Sequence, residues 1–218
     1  MTAARLRSGP LDLAVLCCLP LERDEWPERA RLAPPAGDFV RFGAAAASTG
    51  SLDAAWAAFQ REAAFLERKF DTMEQDRVSI YRRATVKSLR EAAARHANLA
   101  LFAHWKGPNL LPADPPGCGD RLETWDDMID ADTLASLFPS DWAGTVFLAV
   151  CTSVRPAETL RRRRPQAICI CSREGVSAGL SMARLDAARR LMAADRSLPL
   201  WKGLMQGAEM IDQLARRP

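Results

Sequence analysis

Histidine and tyrosine are almost missing from this chain of 218 residues, which has two of the first and one of the second. Imidazole chemistry is therefore confined to His96 and His104. Long apolar runs are missing too: the longest, Leu13 to Leu19, is far too short to cross a bilayer, so no membrane partner is expected. Arg5 and Arg7 ahead of it imitate a secretory leader. Asp12 beside the run and Pro20-Leu21-Glu22-Arg23 after it, with no small-residue cleavage site, favour a buried strand and a cytoplasmic protein. No glycine-rich phosphate loop occurs. A strong charge of one sign is also lacking. Thirty basic residues face 27 acidic ones, a net charge of +3, which gives no electrostatic footprint for nucleic acid.

What is present is ordinary for a globular domain: 48% hydrophobic and 26% charged residues. Of six cysteines, Cys17, Cys18, Cys151, Cys169 and Cys171 lie inside apolar runs, where a thiol packs as a small hydrophobe. Residues 11–19 are continuously apolar apart from Asp12 and read as a strand buried on both faces. After a proline-rich connection (Pro27, Pro34, Pro35), a helix is predicted from Leu52 to Met73, capped by Ser51. Leu52, Trp56, Phe59, Ala63, Leu66, Phe70 and Met73 recur on it at spacings of three and four. A second helix spans about Thr85 to Ala97 and leads into the strand-like run Leu99 to Ala103. Residues 108–120 hold four prolines, two glycines and Cys118 and read as a loop. Then come a short strand at Arg121 to Trp125, a helix at Asp132 to Phe138 and the strand Thr145 to Thr152. A helix at Ala157 to Arg163, a strand at Ala167 to Cys171 and two closing helices complete the chain. Strands alternating with helices imply one α/β domain over 1–218 with a mostly parallel sheet, whose sites form beyond the carboxyl ends of the strands.

Two side chains leave the predicted strands at that edge. His104 follows five apolar residues and precedes a Trp-Lys-Gly-Pro turn, and Cys151 follows Phe147-Leu-Ala-Val150. A cysteine nucleophile needs a nearby imidazole to move its proton and backbone N–H groups to hold the oxyanion. On spacing alone Cys151 reads equally as a packed core cysteine. His96, near a helix C-terminus, reads as structural. Cys169 and Cys171 point to one face, but no second pair has zinc-ligand spacing. Arg161 to Arg164 read as a solvated face rather than a phosphate grip, and Asp126, Asp127, Asp130 and Asp132 as turn and cap residues without an EF-hand pattern. No metal or cofactor is expected.

From about Leu99 to Met192 the chain resembles the caspase-like cysteine peptidases, the clan of caspases, gingipains, separases and the bacterial CHAT-type peptidases. The segments that carry the likeness are Leu99-Ala-Leu-Phe-Ala-His104, then 121–134, then Trp142-Ala-Gly-Thr-Val-Phe-Leu-Ala-Val-Cys-Thr-Ser153. The resemblance implies a three-layer caspase-like sandwich, with His104 as base and Cys151 as nucleophile, and a thioester intermediate. It further implies an oxyanion hole from the N–H groups of Trp105 and Cys151, and a substrate groove shaped by Ser172, Arg173 and Glu174. The substrate it implies is a protein or peptide, with an acidic pocket for a basic side chain and a regulatory partner beside it. Trp105 stands where the family usually has glycine, and its indole is expected to narrow or redirect the site. The alternative is a pseudopeptidase, an interaction module that keeps the fold without the activity.

Overall fold

The computed structural model describes residues 11–25, 52–106, 120–151, 153–173 and 177–215. The predicted cap Ser51, the connection before it, the loop with Cys118, Thr152 and Glu174 lie outside these residues.

Five parallel strands form the central sheet in the order β2-β1-β3-β7-β8: β1 Leu13–Cys17, β2 Ser79–Arg82, β3 Asn98–Phe102, β7 Thr145–Ala149 and β8 Ile168–Ile170. Every residue of β1 and β7 is buried, because a parallel sheet covered on both faces needs apolar side chains on both. The odd residues of β1, with Ala100, Phe102, Phe147 and Ala149, face one core. Helices α1 (Leu52–Gln75), α5 (Ala178–Ala194) and α6 (Leu200–Ala215) cover it. Of the predicted stripe of α1, Phe59, Ala63, Leu66, Phe70 and Met73 are buried there, Trp56 packs against them half-buried, and the Leu52 side chain lies outside the described residues. The other face, with Ala14, Leu16, Leu99, Leu101, Val146 and Leu148, packs under α2 (Val86–Arg95), α3 (Ala131–Ser136) and α4 (Val154–Arg163). The result is a three-layer α/β sandwich.

Local chemistry sets the helix ends. The Thr85 hydroxyl accepts from Ser88 N at 3.1 Å to start α2, and the Asp130 carboxylate accepts from Thr133 N at 2.7 Å to start α3. The latter bond lowers the Asp130 pKa. Asp126 accepts from Val86 N at 2.9 Å, and Asp127 from Met128 N at 2.7 Å, so these acids serve caps and turns as expected. A buried ion cluster joins α1 to α5: Asp186 accepts from Lys69 at 2.6 Å and from Arg189 at 2.9 Å, and Arg189 also pairs with Asp76.

Two elements differ from the sequence expectation. β2 was not foreseen: it is four half-buried residues, Ser-Ile-Tyr-Arg, at the sheet edge, too short and mixed to show a period. His104 does not end in a loop. It opens β4 (His104–Lys106), which pairs antiparallel with β5 (Arg121–Glu123), itself paired with β6 (Met128–Asp130). This three-stranded ribbon buries Trp105, Leu122 and Ile129 in the α2/α3/α4 core.

Candidate active site at the carboxyl edge of the sheet

β3 and β7 are neighbours, with Leu101 opposite Leu148 and Phe102 opposite Ala149. His104 lies two residues beyond Phe102, and Cys151 two beyond Ala149. The ladder ends at the Phe102 and Ala149 pair, Cys151 opens a turn and His104 opens a strand of a second sheet, so each leaves the sheet two residues beyond partnered positions. The side-chain alternation agrees. Ala100 and Phe102 face the α1/α5/α6 core with Phe147 and Ala149, so the two strands reach their ends in the same phase. Ala103, Trp105, Leu148 and Val150, their neighbours in sequence, face the opposite core. Both His104 and Cys151 are half-buried, as groups lining a cleft would be.

Trp105 is 2% exposed and its indole is held in the ribbon core, on the face of β4 opposite His104. The expectation that it narrows the site is corrected: its side chain points away, and only its backbone belongs to this edge. β4 is an edge strand of the ribbon, so one row of its backbone groups lies outside the ribbon ladder.

The segment after Cys151 turns through Ser153, which is fully buried, and enters α4. The Ser153 hydroxyl caps nothing in α4. It accepts from Ser172 N at 3.1 Å and makes a long contact of 3.5 Å to Leu148 O. Ser172, predicted to shape the groove, is thereby tied to the turn that carries Cys151, and exposed Arg173 follows it. On the other flank, Arg155 in the first turn of α4 pairs with Asp120, whose positive φ of 63° leads the chain into β5.

The other candidates fall elsewhere. His96 sits at the opposite, amino end of β3, with Nδ1 2.9 Å from Asp12 and its carbonyl accepting from the Trp142 indole at 3.1 Å. It is structural, as expected. None of the described cysteines forms a disulfide. Cys17 is buried, and burial pushes its thiol far up. The expectation of buried packing for the other pair fails at Cys171, which is exposed, while Cys169 is half-buried and its thiol is pushed up to about 11 by desolvation. Among the described residues no group of histidine, cysteine and acid side chains could hold a metal. In the arginine run, Arg163 pairs with Asp132 at 2.5 Å and Arg164 donates twice to Phe138 O, at 3.1 and 2.5 Å. Those two bind the protein itself. No helix among the described residues is long and apolar enough to cross a membrane.

A cleft of about 470 Å³ lies further along the carboxyl edge, beyond β1 and β2, lined by Glu22, Glu25, Glu67, Asp71 and Glu74 with Arg82 and Arg83. Arg82 pairs with Glu67 at 3.2 Å, Asp71 at 2.8 Å and Glu74 at 2.5 Å, and Arg83 pairs with Glu25 at 2.5 Å. The acids outnumber the bases, but much of their charge is answered from within.

Sequence reasoning missed Glu123. It is the cross-strand partner of His104, only 5% exposed, and nothing in the sequence marks the pairing of residues nineteen positions apart. The chain matches no protein-family model, no curated protein and no solved structure.

Proposed function

We propose that the chain is a caspase-like cysteine endopeptidase that cleaves a protein or peptide through a Cys151/His104 dyad. The observation that supports the reading is that His104 and Cys151 each follow by two residues the last partnered positions, Phe102 and Ala149, of the neighbouring strands β3 and β7. His104 takes the proton from the Cys151 thiol, and the thiolate attacks the scissile carbonyl. The N–H groups of Cys151 and Trp105 hold the oxyanion. The amine leaves with the proton from His104, and water then releases the acyl product from the thioester. Two residues after Cys151, Ser153 stands at the N-terminus of α4, where the helix dipole favours negative charge.

The family likeness assigns the groove beside the nucleophile to Ser172, Arg173 and Glu174, of which Ser172 is tied to Ser153 by its N–H. A basic side chain before the scissile bond follows from the family likeness, as do a cytoplasmic setting and a regulatory partner that the enzyme cleaves as a bacterial effector. No cofactor is needed for any step. The alternative is an inactive interaction module; burial of the Trp105 indole in the ribbon core supports the enzyme reading over it. The test is cleavage itself. The intact protein, incubated with casein and with itself, is expected to give discrete fragments that vanish in Cys151→Ala. Fragments that persist in that variant, or none with either protein across such substrates and proteins from its own genomic neighbourhood, contradict the proposal.

A further inference from the structure

His104 sits at the junction of two sheets. It lies two residues beyond Phe102 of β3, whose partner Ala149 on β7 is two residues before Cys151, and through β4 it is directly opposite Glu123 on β5. Directly opposed residues of an antiparallel pair hold their Cβ atoms about 4.5–5.5 Å apart on one face. That face is the one away from Trp105, Leu122 and Ile129, so the Glu123 and His104 side chains leave the ribbon together. A glutamate only 5% exposed is rare unless its charge is answered by a hydrogen-bonding or cationic neighbour. Imidazole on the facing residue is such a neighbour.

Other charged groups bear on the same place. Arg121 shares the face with Glu123 and donates to Met128 O at 3.2 Å, across the strand from Glu123. Asp130 opposes Arg121 but is committed to capping α3, and Asp120 is paired with Arg155. Arg121 places positive charge on that face, and Glu123 is the buried acid directly opposite His104 in the ladder.

We propose that Glu123 is the positioning residue for His104, accepting one imidazole N–H across the β4–β5 ladder so that the other ring nitrogen faces Cys151. This deepens the peptidase reading and rests on it for its catalytic meaning. An acid in this place fixes the tautomer and ring orientation and stabilises the imidazolium that forms when the thiol proton moves to His104. The proton passes from sulfur to nitrogen, and Glu123 remains a carboxylate throughout.

The chain has only two histidines, so imidazole NMR reads His104 directly with His96 as an internal reference. A carboxylate beside an imidazole favours its charged form. Glu123→Gln is therefore expected to lower the titration midpoint of His104 by about one unit, leaving His96 unmoved. Glu123→Asp is expected to retain part of the effect. In parallel, kcat for peptide cleavage is expected to fall about 100-fold in Glu123→Gln, with partial rescue in Glu123→Asp. An unchanged His104 midpoint and tautomer in a Glu123→Gln protein whose His96 signal is native overturns the inference, whatever the activity. If Glu123→Gln does not fold, the same signals in Glu123→Asp decide, an unchanged His104 again counting against it. A shifted His104 in a protein that cleaves nothing keeps the Glu123–His104 pairing and removes the peptidase reading. Cleavage lost in Cys151→Ala but indifferent to Glu123 does the reverse.

Discussion

Phe102 and Ala149 are partners in the parallel ladder between β3 and β7, and two residues beyond each stand His104 and Cys151. The pairing matters because residues 103 and 150 turn their side chains into the α2/α3/α4 core. Residues 104 and 151 follow them, and the proposed dyad needs both on the opposite side of the sheet edge. A shift of one residue on either strand would put imidazole and thiol on opposite faces.

The proposed dyad predicts that removing either group stops cleavage without unfolding the protein. Cys151→Ala and His104→Ala should each lower kcat/KM by about 1000-fold or more. Both residues are half-buried rather than core, so their melting temperatures should stay within a few degrees of the parent. Kinetics beside thermal melts check this.

Trp105 should behave oppositely. Its indole is core, so Trp105→Gly, the residue usual in the family, is expected to cost about 3–5 kcal/mol of stability. It should bring no gain in turnover, because the lost volume lies behind β4. Urea denaturation with activity assays below the transition reads both effects.

Trp105 also shows where the sequence was legible. The continuous apolar runs at β1, β3 and β7 announce a sheet buried on both faces, and spacings of three and four announce α1 and its stripe. Neither signal tells which face a residue takes beyond a strand end. That depends on β4 pairing with β5, a partner brought back after a long connection. The same non-local pairing hid Glu123. β2 stayed hidden because its four half-buried residues have no period, and the Ser153 hydroxyl because its two partners lie on β7 and beyond β8.

The ion cluster between α1 and α5 carries a pH signature. Burial disfavours the Asp186 charge, but hydrogen bonds and charge from Lys69 and Arg189 outweigh it and hold the carboxyl below its ordinary value of 3.8. A depressed folded-state pKa gives stability that is present above the ordinary value and lost as pH falls through the folded one. Asp186→Ala should remove that acid dependence and cost about 3 kcal/mol, since Arg189, its side chain 8% exposed, loses its nearest buried partner. Chemical denaturation from pH 7 to pH 2.5 reads the effect. A parent and variant with parallel curves would contradict it.

At the amino edge of the sheet, Gly144 lets the chain pass close to residue 97. A Cβ there would lie 2.0 Å from Ala97 O and 2.6 Å from the Trp142 ring, so the backbone would have to move. Gly144→Ala is expected to destabilise by about 1–3 kcal/mol and to loosen the start of β7, whose Thr145 N donates to Ala97 O at 2.8 Å. Hydrogen exchange at Thr145 and Val146 measures it.

The most direct test of the dyad is the rate at which iodoacetamide alkylates each cysteine, read by peptide mass spectrometry. Cys171 is exposed and serves as the comparison thiol, although desolvation holds it above its ordinary value, so the decisive reading is the dependence of Cys151 on His104. A His104-activated nucleophile predicts that Cys151 reacts at least about tenfold faster than Cys171 at neutral pH. It predicts that this advantage disappears in His104→Ala while Cys171 is unaffected. Alkylation of Cys151 no faster than Cys171, and indifferent to His104, would contradict the account.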